Sequence, residues 1–116
     1  MIESFLEQIK NSPVEKLGVI LHDKTGAIGA AIVGTGTENR CTVKFSAIRN
    51  AITEHRAAMI TLVHNHPTGA VRPSIEDLEM TYTLQDMLKE AGIAINDHLI
   101  LGGNGGVFSF ADNGVL

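Results

Sequence analysis

No apolar run of the roughly 18 residues that a membrane helix needs occurs in this chain. No charged, apolar, small-residue leader precedes its first element either, so the expectation is neither a membrane-spanning nor a secreted protein. Cysteine is nearly absent: Cys41 stands alone, an internal disulfide is excluded, and a reducing cytoplasm fits best. Basic charge is also short, nine Lys and Arg against thirteen Asp and Glu for a net charge of −4, and it is scattered. A domain that binds nucleic acid by itself usually carries a basic face, so this balance weighs against DNA as a direct partner. Repeats, low-complexity tracts and linkers are missing too. What remains, 116 residues at 44% hydrophobic, is one domain with a single core.

The stretch His64 to Asp77, HNHPTGAVRPSIED, carries the chemistry. Ahead of it, Ala58 to Val63 reads as a buried strand. Alternation on an extended backbone puts His64 and His66 on one side, where two imidazoles can share a metal. Pro67, Gly69 and Pro73 mark a turn-rich loop, and from Ser74 apolar residues recur at helical spacing until Gly92. Ser74 is then the N-cap of a helix whose first turn holds Asp77. Two neutral imidazoles and one carboxylate make a hydrolytic zinc set, with a fourth tetrahedral position for water. A competing reading needs no metal: Ser74 with Asp77 is close to a capping box, and an acid in a first helical turn is favoured by the dipole.

The remaining elements follow in order. Ile2 to Lys10 has an amphipathic helical face, and Val14 to Leu21 and Ala27 to Val33 read as strands joined by a turn at Asp23 to Gly26. Gly34 to Asn39 reads as loop, Cys41 to Phe45 as a third strand, and Ser46 as the cap of a helix running to about Arg56. Ile95 to Leu101 and Val107 to Phe110 are strands around a glycine cluster. That cluster lacks the lysine and the following helix of a phosphate loop, so it reads as a hairpin turn. The order of helices and strands indicates a mixed α/β structure around one central sheet.

Hydrolysis also needs a group that takes a proton from water and delivers it to the leaving amine. The glutamates open to that role are Glu3, Glu7, Glu15, Glu38, Glu54, Glu76, Glu79 and Glu90. Glu76 and Glu79 lie about 100° and 200° round the helix from Asp77 and are expected to project away from the metal side. Glu15, where the first strand begins, faces a site or simply sits in solvent.

The pattern HxHxxxxxxxSxxD, filled by His64, His66, Ser74 and Asp77, resembles the signature of the JAMM (MPN) metallopeptidases. HNHPTG, PSIEDLEMT and DHLILG resemble more particularly the RadC-like branch, over about Ile2 to Phe110. The resemblance implies an MPN (JAB) domain over residues 1–116: a mostly antiparallel, cytidine-deaminase-like sheet flanked by helices. It also implies zinc on His64, His66 and Asp77, Glu15 as the catalytic glutamate, Ser74 as a donor toward the transition-state oxyanion, and a peptide or isopeptide substrate. The helix-hairpin-helix region of fuller members has no counterpart here, and DNA repair enters only through the wider family.

Three rival functions can be weighed on the residues. A zinc deaminase would need the HxE and PCxxC zinc signature, which is absent. The contiguous letters HNH do not make a nuclease motif, whose members are spread along a longer stretch. A non-catalytic binding domain of the same fold would lose the ligands, and this chain keeps them. Asp97 and His98 are expected to be a buried structural pair, His22 and His55 surface residues, Asn65 a residue that shapes the loop, and Cys41 no nucleophile.

Overall fold

The computed structural model describes residues 2–37 and 41–116. The chain runs α1 (Ile2–Lys10), β1 (Lys16–Asp23), β2 (Gly26–Gly36), β3 (Cys41–Val43), α2 (Phe45–His55), β4 (Met59–His66), α3 (Ile75–Glu90), β5 (Ala94–Gly102) and β6 (Val107–Ser109). The strands form one sheet in the order β3-β2-β1-β4-β5-β6. Only the β4–β5 pair is parallel, joined by the crossover through α3, and every other pair is antiparallel. This is the mixed, mostly antiparallel sheet flanked by helices expected of an MPN domain.

Strand alternation divides the side chains between two cores. Leu17, Val19 and Leu21 of β1 and Ile60 and Leu62 of β4 face α2 and α3, where they meet Ile48, Ile52, Leu84 and Leu88. Ile20, Val63 and Leu101 turn to the other face and receive Ile9 of α1. Gly18 permits that approach, since a Cβ there would stand 2.5 Å from Ile9 Cδ1. His64 and His66 continue the alternation of Ile60 and Leu62, so they emerge on the α2/α3 face at the end of β4. Among the described residues, no helix is long and apolar enough to cross a membrane.

Several boundaries differ from the sequence reading. β4 extends through His66, because parallel pairing with β5 continues to His66↔Gly102, so both histidines are strand residues rather than loop residues. β1 begins at Lys16, one residue after Glu15. β2 continues to Gly36, pairing with β3, so the first part of the expected Gly34–Asn39 loop is strand. Ser46 is not the cap of α2: the helix starts at Phe45 behind Lys44, which gives no side-chain cap. Phe45 packs against the larger core, and that burial draws the helix start forward.

Candidate metal centre

Four side chains from three segments converge at the end of β4. His64, only 2% exposed, has Nε2 2.7 Å from Glu15 Oε1, which accepts its hydrogen bond. Its other nitrogen, Nδ1, lies 3.2 Å from Asp77 Oδ1, yet it is buried without a hydrogen bond. His66 donates from Nδ1 to the Ala70 carbonyl at 2.6 Å, which leaves Nε2 facing Asp77 Oδ2 at 3.1 Å. The two rings stand edge to face with centroids 5.0 Å apart. One ligand atom from each of Glu15, His64 and His66 falls within 4.8 Å of the others. A Glu/His/His group of this kind can bind a metal ion, and Asp77 adds a second carboxylate beside both imidazoles.

The local fold explains each placement. Ser74 is the N-cap of α3, its Oγ accepting from Asp77 N at 3.0 Å while Asp77 Oδ2 accepts from Ser74 N at 2.9 Å. The capping box is therefore real, and it does not displace the other reading: the same geometry holds Asp77 Oδ1 toward His64. Gly69, at φ +91°, lets the loop turn back so that Ala70 reaches His66. That loop rests on the β5–β6 hairpin, where a Cβ on Gly102 would stand 2.7 Å from Gly69 O. The glycine cluster is thus a hairpin turn, closed by Gly102 N donating to Gly106 O at 2.8 Å, and its lack of side chains gives the loop room.

Charge in the site is tightly arranged. Burial pushes the His64 pKa down, but the Asp77 and Glu15 carboxylates outweigh it and raise the value to about 9. His66 is raised as well, chiefly by Asp77. Burial works to raise Asp77, and the two imidazoles hold it well below the usual carboxylate range. Protons on the imidazoles thus stand where two carboxylates call for a cation.

The group opens on a cavity of about 580 Å³. Leu17, Cys41, Val43 and Met80 give its lining an apolar part beside Glu15, Ser74 and the histidines. Burial first, then the Glu15 and Asp77 charges, push the Cys41 thiol up to about 11, so it stays protonated and is no nucleophile. Glu76 lines the cavity too, in contrast to the expectation from its helical angle, because it is exposed at the rim where α3 begins. Glu79 is exposed and does not line it. Glu38 lies outside the described residues.

Asn65 does more than shape the loop. Fully buried, it points away from its two histidine neighbours, accepts from Lys16 N at 2.6 Å and donates to Ser12 O and Val14 O. It therefore clamps the chain on both sides of Glu15. The sequence signal for that placement is strand alternation, which sends the middle residue of H-N-H to the opposite face. The side chains of Asp97 and His98 do not pair: Asp97, half-buried, accepts from Ser109 Oγ, from Ala111 N and from the His98 backbone N at 2.7 Å, whereas the His98 ring enters the core. His22 and His55 are half-buried rather than on the surface, His22 bonding Thr61 Oγ1 and His55 bonding Ala51 O.

A mixed sheet with one parallel pair, a histidine pair ending its central strand and a capped helix bringing an acid to them define a JAB-type α/β domain. Comparison with known proteins agrees: the family model described as the RadC-like JAB domain matches residues 1–115. A UPF0758 protein of Porphyromonas gingivalis is 37% identical over 105 residues, covering 90% of this chain and 46% of the relative. The UPF0758 protein YeeS of Escherichia coli is 41% identical over 96 residues, covering 83% of this chain and 64% of the relative. A UPF0758 protein of Clostridium kluyveri is 37% identical over 112 residues, 96% of this chain and 49% of its own length. The chain belongs to the RadC-like JAB domain family, and it spans about half the length of most of these curated relatives.

Proposed function

We propose that this domain is a zinc-dependent amide hydrolase, a metallopeptidase or isopeptidase, in which His64, His66 and Asp77 hold the metal and Glu15 moves the proton. The observation that carries this reading is the convergence of Glu15, His64 and His66 within 4.8 Å, with Asp77 3.1 to 3.2 Å from both rings, at the wall of an open cavity. The donor set fits zinc in kind, two imidazoles and a carboxylate. It also fits in state, since His64 Nδ1 is a buried nitrogen without a hydrogen bond and the Nδ1 bond of His66 leaves its Nε2 free of the backbone. Zinc held there would supply Lewis acidity, polarising an amide carbonyl and making water acidic near neutral pH.

The chain's own residues do the rest. Glu15 takes a proton from the attacking water and returns it to the departing nitrogen, a transfer for which the backbone on both sides of it is clamped by Asn65. Ser74 uses its oxygen as an acceptor within the capping box, which leaves the hydroxyl hydrogen to donate toward the developing oxyanion. The start of α3 adds its positive dipole end at the same place. Leu17, Val43 and Met80, which line the same cavity, exclude water there and offer an apolar surface to the substrate. The test is cleavage of quenched peptide and lysine-isopeptide libraries by the zinc-loaded domain beside Glu15→Gln. Cleavage that a chelator stops and the variant lacks supports the reading, and cleavage at an unchanged rate by Glu15→Gln refutes the role of Glu15.

A further inference from the structure

We propose that Thr81 and His98 are positioning residues for the metal centre, a buried polar tie that sets the first turn of α3, and with it the Asp77 carboxylate, against the end of β4. The inference rests on the metal-site reading above. Both side chains are fully buried. Thr81 Oγ1 donates to the Asp77 carbonyl at 2.7 Å. Its single hydrogen is then committed, so the contact with His98 Nδ1 at 2.8 Å requires that Nδ1–H donate and Thr81 accept. This fixes the tautomer: His98 is a neutral imidazole protonated on Nδ1.

The tie joins the two parts that the centre needs in register. His98 lies on β5 beside Leu62, two residues before His64 on the paired strand, and its ring is 6.1 Å from that of His64. Thr81 stands one turn beyond Asp77 on α3. The ring is held in place by stacking on Phe110, with centroids 4.3 Å apart and planes at 19°. The apolar contacts of α3 with the core pass through Met80, Leu84 and Leu88, and apolar contacts set a distance without setting a direction.

The unpaired nitrogen points the same way. His98 Nε2 is buried with no partner, a state that an apolar residue of similar size would avoid. What the imidazole contributes in exchange is the directed bond to Thr81. Burial first, and the charge on His64 after it, hold its pKa down at about 3, so the donor stays neutral across the physiological range.

The test measures zinc affinity by competition with a chromophoric chelator for the wild-type domain, Thr81→Val, Thr81→Ser, His98→Phe and Leu88→Ala. Thr81→Val keeps the shape and removes both bonds, so affinity should fall about 10- to 100-fold, the usual effect of losing a partner behind a metal ligand. Thr81→Ser should restore it. His98→Phe, which keeps the stacking on Phe110 and removes the unpaired nitrogen, should lose the same affinity in a folded protein. Leu88→Ala should lower stability and leave affinity within about threefold of wild type, on the premise that apolar contacts do not orient the ligand. In metal-free protein, the side-chain nitrogen shifts of His64 and His66 should move in Thr81→Val and not in Leu88→Ala. Wild-type affinity in folded Thr81→Val and His98→Phe overturns the inference, as does an equal loss in Leu88→Ala. Failure of the underlying reading looks different: the wild-type domain itself takes up no zinc, and the inference falls with it.

Discussion

Two histidine–aspartate neighbourhoods in this domain behave in opposite ways. At the end of β4, His64 and His66 are two residues apart and project to one face, where Asp77 arrives from another element and touches both. On β5, Asp97 and His98 are adjacent, so the strand sends them apart: Asp97 braces the end of β6, and His98 bonds Thr81 in the core. Spacing along a strand decides whether polar residues can act together, and close reading of neighbours in sequence does not. The first group lines a cavity, and the second bonds within the fold, through the Asp97 carboxylate and His98 Nδ1.

The comparison can be broken most severely at Asp77. Asp77→Asn should reduce zinc affinity by more than the roughly 100-fold that loss of an outer partner causes, as read by chelator competition, whereas Asp97→Asn should leave it unchanged. Next in size, Glu15→Gln should retain zinc while turnover of any cleaved peptide falls by about 10²- to 10⁴-fold, the range for a lost acid–base group.

The two buried histidines should also answer pH with opposite signs in the metal-free protein. His64 is raised to about 9 when folded, against about 6.5 unfolded. The stability it confers is full below about pH 6.5 and is lost as pH rises through 9. His98 is lowered to about 3 when folded, so its contribution is full above about pH 6.5 and is lost as pH falls toward 3. Urea unfolding across pH should show a maximum near the middle, with each flank on the order of a few kcal/mol. His98→Phe should flatten the acid flank alone. The smallest effect is expected at Ser109→Ala, which removes one bond to Asp97 and should lower stability by about 1 kcal/mol with no change in zinc affinity.

Much of this was legible in the sequence because the signals were local. The Ser74 cap, the helical run to Gly92 and the apolar run before His64 each depend on neighbours in the chain, and the structure reproduces them within a few residues. The convergence of Glu15 with the histidines was not legible from spacing, since it depends on β1 pairing with β4 at Leu17↔His64, and only the family resemblance pointed to that glutamate. The Ser46 cap failed because burial of Phe45 outweighed a capping preference worth only about 1 kcal/mol. Glu76 failed for a related reason: a helical angle says where a side chain starts, not how far an open cavity extends around it. For Asn65 and His98 the sequence suggests structural roles but not their partners, Ser12 to Lys16 and Thr81, which are distant along the chain.

The central claim is that the end of β4 and the start of α3 form a zinc site, and its most direct test is the metal content of the purified domain beside His66→Ala. The account predicts about one zinc per chain in the wild-type protein by elemental analysis, lost in the variant while the fold is retained. No zinc in the wild-type protein after reconstitution, or the same content in His66→Ala, would contradict it and leave Ser74 and Asp77 as a helix cap alone.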